Sequence, residues 1–250
     1  MKHLRWASAV AGVVAALLSA PASAVVTLNL TAGGTGTLNG AIFTTTDSQS
    51  TGTGVIQSFV RMGSNELIEQ GYNTSARPLF YDENNSPNFT RDLPLSAVPI
   101  VTIGGLQYRE FLLDINQTGA DPFLSLDKIQ IFVQSSGGRS GAITGAAFTN
   151  KVYDLDFGTD NGILLDYSDN SGSGSGDMFA YIRNDLFVGG SYVYLYSMFG
   201  QTAPHGNNDG FEEWAVRSVQ TLPIPEPGTY ALMLAGLGAV GFMARRRRQV

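Results

Sequence analysis

The run Ser191-Tyr192-Val193-Tyr194-Leu195-Tyr196-Ser197-Met198-Phe199 alternates in side-chain character. Successive side chains of an extended strand point to opposite faces. Tyr192, Tyr194 and Tyr196 therefore share one face, and Val193 and Leu195 the other. Working outward, no stretch between Val25 and Leu222 sustains a helical period over more than two turns. Short runs of the same kind recur instead: Val25–Leu30, Val55–Met62, Pro99–Ile103, Leu106–Asn116, Leu126–Gln134, Lys151–Asp156, Gly162–Tyr167, Met178–Arg183 and Phe211–Ser218. Gly, Asn, Ser and Asp clusters separate them, as turns require. About ten strands in roughly 200 residues predict an all-β fold, a single β-sandwich of jelly-roll-like type.

Three segments stand outside this pattern. Ser64–Gln70 reads SNELIEQ, a Ser cap followed by acidic residues, and predicts a helix of at most two turns. Gly33–Gly54, rich in Gly, Thr and Ser, reads as a long mobile loop. Leu79–Pro99 carries Pro87, Pro94 and Pro99 beside Asp82, Glu83, Asn84 and Asn85, and also reads as loop. No internal repeat of fixed period is present, which argues against solenoids and propellers.

Composition narrows the chemistry. The chain has 250 residues, 43% apolar and 14% charged, enough to build a core. It has no cysteine, which excludes disulfides, thiolate zinc sites, iron–sulfur clusters and a cysteine nucleophile. Of its two histidines, His3 lies in the first segment, leaving His205 alone for the body and no multi-histidine metal site. Between Val25 and Pro225 there are 9 basic and 20 acidic residues, a net −11. Such a body repels phosphate backbones, and no nucleic-acid partner is expected.

The ends carry addresses. Lys2 and Arg5 precede the small apolar run Ala7–Leu18, and Ala22-Ser23-Ala24 supplies an A-x-A cleavage site. Together they predict a signal peptide over residues 1–24, a signal helix whose Ala22 and Ala24 direct cleavage after Ala24. Export suits a chain without cysteines. At the other end Leu222–Gly228 is a proline-punctuated linker containing Pro225, Glu226 and Pro227. Thr229–Ala244 follows, sixteen residues without charge, then Arg245, Arg246, Arg247 and Arg248. A helix of that length is about 24 Å long against a hydrocarbon core of about 30 Å, so it spans by thinning the bilayer or snorkelling its flanks. The four arginines are a membrane stop-transfer signal that places the body outside and the tail inside.

Pro225-Glu226-Pro227, the short apolar helix and the arginine cluster resemble the PEP-CTERM sorting domain of exported proteins from Gram-negative bacteria that make exopolysaccharide. The resemblance implies an exosortase-type membrane enzyme as partner, which recognises the motif and removes the helix. It further implies a stay at the inner membrane, then transfer to the cell surface or extracellular matrix. Within the body Phe111–Gln117, Leu124–Phe132, Gly172–Met178 and Gly210–Val216 resemble a domain common among proteins with this tail. That resemblance, over roughly Leu106–Val219, implies fold and context and no activity.

Candidate chemistry in the body is sparse. Asp154, Asp156 and Asp160 are candidate calcium ligands if Gly158 makes a tight turn, since calcium takes about six to eight oxygens. The EF-hand template fails, because its fifth position here is Gly158, and turn or strand-end roles compete for the same residues. Calcium is the one cofactor these residues suggest. Tyr192, Tyr194 and Tyr196 are candidate glycan-stacking residues if their face is open. The competing reading makes them one packed sheet face, or a ladder with Phe179 and Tyr181. Trp214 beside Glu212 and Glu213 reads as core. Catalytic residues are not assigned: no G-x-S-x-G elbow is present, Gly172–Gly176 lacks a phosphate-binding lysine and reads as a flexible turn, and carboxylate pairs occur by chance among 20 acids. The expected organisation is a signal peptide at 1–24, an ectodomain at 25–222 and a sorting and anchor segment at 223–250. The expected role is structural or adhesive in exopolysaccharide or biofilm. A carbohydrate- or calcium-binding module is the alternative, and a secreted hydrolase comes last.

Overall fold

The computed structural model describes residues 25–45, 57–170 and 176–217. The signal helix with Ala22 and Ala24, the tail with Pro225–Pro227, the helix at 229–244 and Arg245–Arg248 lie outside the described residues, as does the 172–175 turn. Among the described residues no helix is long and apolar enough to cross a membrane.

Fourteen strands are present among the described residues. They are β1 (Val25–Asn29), β2 (Thr35–Leu38), β3 (Ala41–Thr45), β4 (Gln57–Met62), β5 (Glu69–Tyr72), β6 (Leu93–Pro94), β7 (Ile100–Ile103), β8 (Leu106–Asp114), β9 (Phe123–Gln134), β10 (Lys151–Asp154), β11 (Asn161–Asp166), β12 (Met178–Arg183), β13 (Tyr192–Phe199) and β14 (Glu212–Val216). They form two seven-stranded sheets. The first runs β1-β11-β9-β13-β5, with β10 beside β9 and β6 beside β13. The second runs β2-β3-β12-β8-β14-β4, with β7 beside β8. Among the described residues, helical structure is limited to three 3-10 turns, at Leu95–Ala97, Tyr167–Asn170 and Asn184–Leu186.

The inner faces of both sheets supply one apolar cluster. Leu124, Leu126, Ile129, Ile131, Val193, Leu195 and Phe199 of the first sheet join Phe43, Phe59, Phe111, Leu113, Met178 and Trp214 of the second. Trp214 is fully buried, and its Nε1 donates to Ser197 Oγ on the opposite sheet at 3.0 Å. The phase of β9 changes on the way. Met198 opposes Lys128 and Phe199 opposes Leu126, so Asp127 is the extra residue of a β-bulge. The bulge returns both Leu126 and Ile129 to the core. The Asp127 carboxylate accepts from Ser125 Oγ (2.8 Å), Gln201 N (2.7 Å) and Thr202 Oγ1 (2.6 Å). A fully buried charge is tolerable only with such a donor set.

Two sequence expectations are corrected. Within Gly33–Gly54, β2 and β3 form a hairpin in which Leu38 pairs with Ala41. Its two-residue turn places Asn39 at φ 49° and Gly40 at φ 79°, the positive dihedrals that an Asn-Gly pair supplies. Ser64–Gln70 is not helical. Ser64 Oγ does accept from Glu66 N at 3.0 Å, but Glu69 and Gln70 then pair with Phe199 and Met198 as strand β5. Sheet pairing outweighs a local preference that small.

Candidate functional site

The tyrosine face of β13 is a second packed layer. Tyr194 and Tyr196 are 0% and 4% exposed, and Tyr192 is half-buried. Phe148 and Ile143, from the segment between β9 and β10, close over them with Tyr72, Phe132 and Met198. Ring centroids lie 5.5 Å apart for Phe148–Tyr194 and 5.8 Å for Tyr81–Tyr196. Tyr194 Oη donates to Asp92 Oδ1 at 3.0 Å and accepts from Arg139 N at 3.2 Å. Tyr196 Oη donates to Gln70 Oε1 at 2.7 Å. Burial pushes both phenols up. The row thus presents no flat face to a sugar. Phe179 and Tyr181 belong to the other sheet, so they form no ladder with it.

The aspartates are held by lysines. Asp154 ends β10 and accepts from Lys151 Nζ and from Gln130 Nε2 (3.2 Å). Asp156 accepts from Lys128 Nζ at 2.9 Å and from Asn161 N at 3.1 Å. Burial alone would lower the Lys128 pKa, but its bond to Asp156 and the charges of Asp156, Asp160 and Asp154 together raise it. Asp160 sits half-buried in the following turn. Among the described residues no group of three or more His, Asp or Glu converges as a metal site. The cations near Asp154 and Asp156 lie on Lys128 and Lys151.

A cleft of about 400 Å³ opens where β4, the 82–84 segment and the start of β14 meet. Residues 82–84 run beside the end of β4: Gly63 N donates to Asp82 O (3.1 Å) and Asn84 N to Arg61 O (2.7 Å). Opposite them Gly210 packs so closely on Asn116 that a Cβ would lie 2.3 Å from Asn116 Nδ2, and its φ is +73°. Glycine is required there on both grounds. Arg61 forms one wall. Its guanidinium carbon lies 3.4 Å from the Phe89 ring centroid and 3.9 Å from that of Phe211, and its Nε donates to Glu213 Oε1 at 2.6 Å. A cation between two rings with a carboxylate behind it has little freedom.

Two buried glutamates lie behind the cleft. Glu69 enters from β5 and accepts from Ser64 N at 3.1 Å, while its Oε1 has no partner. Burial pushes its carboxyl up, the Ser64 bond opposes this, and the charge of Asp82 adds to it, leaving the pKa at about 8. Burial thus favours the protonated form of Glu69. Glu212 enters from β14, where Oε1 accepts from Gln117 Nε2 at 3.1 Å and Oε2 has no partner. Asn207 links the two groups by accepting from Gln117 Nε2 (3.5 Å) and donating to Ser64 O (2.9 Å). Glu83, on the cleft wall, accepts from Tyr72 N and Tyr81 N at 3.0 and 2.8 Å, and burial raises its pKa despite those bonds.

The sequence reading singled out Ser64–Gln70, Asp82–Asn85 and Glu212–Trp214 separately but not their meeting. Glu212 facing inward beside a core Trp is the one local sign of it, because an acid in phase with core residues needs an internal partner.

Residues 223–248 match the family model for the PEP-CTERM protein-sorting motif. No curated protein and no solved structure matches the chain. The motif marks an exported protein, sorted by exosortase and transiently membrane-anchored before processing.

Proposed function

We propose that this chain is a cell-surface or extracellular-matrix protein of a Gram-negative bacterium, with a structural or adhesive role in exopolysaccharide or biofilm and no catalytic activity. The observation that carries the reading is the sorting motif at residues 223–248 joined to a β-rich body. In this reading the two sheets form a jelly-roll-like sandwich ectodomain. The proline-bounded motif is what the membrane enzyme recognises. The apolar run 229–244 holds it at constant depth, and Arg245–Arg248 stop transfer.

Several features of the body support a non-catalytic role. Three of its buried acids are occupied by neighbours: Asp127 by three donors, Glu213 by Arg61 and Glu110 by Arg217. Its net charge favours solubility among neutral polymers over adsorption to polyanions. The role is tested by intact mass and cell fractionation in hosts with and without exosortase. With exosortase, the chain loses the apolar helix and arginines and leaves the membrane fraction. Without it, or with Glu226→Ala, the chain keeps Val250 and stays in the membrane. Recovery of Val250-terminated protein from the surface of an exosortase-positive host would overturn the reading.

A further inference from the structure

We infer that the cleft walled by Arg61, Ser64, Asn65, Asp82, Asn84 and Phe211 binds one residue of a neutral polysaccharide. The inference rests on the polysaccharide-associated reading above and deepens it by naming the site.

A neutral sugar has hydroxyls that both donate and accept, set around a ring with an apolar C–H face. A site for it needs fixed donors, fixed acceptors and an apolar surface in one concavity. The cleft has the volume, about 400 Å³, within the range of small-ligand sites. It also has the groups. Neither Nη of Arg61 hydrogen-bonds to the protein among the described residues, because Nε alone meets Glu213. Asp82 accepts from Gln70 N through Oδ2 at 3.0 Å, and its Oδ1 has no protein donor among the described residues. Asn84 accepts from Ser86 N through Oδ1 at 2.9 Å, which fixes the amide and leaves its Nδ2 to donate. Ser64 Oγ accepts from Glu66 N, so its proton is free to be given. Each of these side chains is anchored by one atom and presents another. Anchoring of this kind lowers the entropy lost on binding. Phe211 supplies the apolar surface, itself steadied by Arg61.

The charges select among sugars. Arg61 is already matched by Glu213, and Asp82 adds a negative charge to the cleft. A uronate or phosphate would face Asp82 and a body of net −11, which opposes polyanions. A neutral glycan faces no such penalty. The tyrosine row, closed over by Phe148 and Ile143, offers no competing surface.

The test uses the processed protein recovered from its host, Asp82→Asn, Asn84→Ala and the distant control Phe157→Ala, each checked for folding by circular dichroism. Phe157 is 77% exposed and takes no part in the cleft. The probes are the host's own exopolysaccharide, dextran, mannan and galactan, with alginate as the polyanion. The expected result is saturable binding to at least one neutral glycan, weakened about tenfold or more by each cleft variant and unchanged by Phe157→Ala. Wild-type binding that survives both cleft variants would overturn the site and leave the polysaccharide reading standing. Absence of wild-type binding to every probe would overturn the sugar site, while the surface-protein reading still stands or falls on the fractionation above. Preference for alginate would overturn the neutral class.

Discussion

Replacing Glu69 by Gln isolates a buried acid whose titration opposes folding at high pH. Glu69 is fully buried, with Ser64 N on one oxygen and nothing on the other. Its carboxyl titrates at about 8 in the folded protein, against 4.5 as the reference value. Between those values the native state binds a proton that the unfolded state releases, so stability falls as pH rises. The contribution is complete below pH 4.5 and is lost as pH climbs through 8. Linkage makes the loss about 3–4 kcal/mol between pH 5 and pH 8, a large share of the roughly 5–15 kcal/mol available to a folded domain. Gln keeps the shape and the acceptor for Ser64 N and cannot ionise. Urea unfolding of wild type and Glu69→Gln, followed by the fluorescence of buried Trp214 at several pH values from 5 to 8, gives the difference directly. Glu83 is also raised, but it is present in both proteins and cancels from the comparison. The variant should match wild type near pH 5 and exceed it by several kcal/mol near pH 8. Parallel pH profiles for the two proteins would refute the reasoning.

Tyr194→Phe removes the hydroxyl between Asp92 and Arg139 N and should cost about 1–2 kcal/mol, while Tyr194→Ala empties a packed layer and should cost about 3–5 kcal/mol in urea unfolding. Equal losses would show that the ring is not packed. Arg217→Ala strands Glu110, whose side chain is 2% exposed, but Arg217 itself is 44% exposed, so the expected loss is about 2–3 kcal/mol. Adding Glu110→Gln should recover most of that loss, and no recovery would mean the pair is not the cause. Gly40→Ala puts a Cβ at φ +79° and should lower stability by about 1–2 kcal/mol, whereas a neutral result would argue against the tight turn.

Some of this protein is written locally. Alternation along Ser191–Phe199 and Met178–Arg183 is a property of neighbouring residues, and it marks strands whatever surrounds them. The Asn39-Gly40 turn is equally local, since positive φ at both positions suits few other pairs. Reading Gly33–Gly54 by composition hid a hairpin that its dipeptide announces. The tail is local as well: prolines, an apolar run and four arginines act in order along the chain.

What alternation cannot specify is what covers each face. It divides Tyr192, Tyr194 and Tyr196 from Val193 and Leu195, but the closing of Phe148 and Ile143 over the tyrosines depends on where a segment some fifty residues earlier returns. Asp156 is matched by Lys128 across 28 residues, so no reading of the acidic run alone could find its cation. The bulge at Asp127 appears only when β9 is laid against β13. The cleft is the extreme case. Arg61, Asp82 and Phe211 have no sequence relation, and sheet pairing together with the close approach at Gly210 brings them to one place. By itself the sequence determined that the body is built of strands and that its tail is a sorting signal, because both depend on neighbours along the chain. Only the tertiary structure decided which faces are sealed, which charges are matched and where a cleft remains, because those depend on neighbours in space.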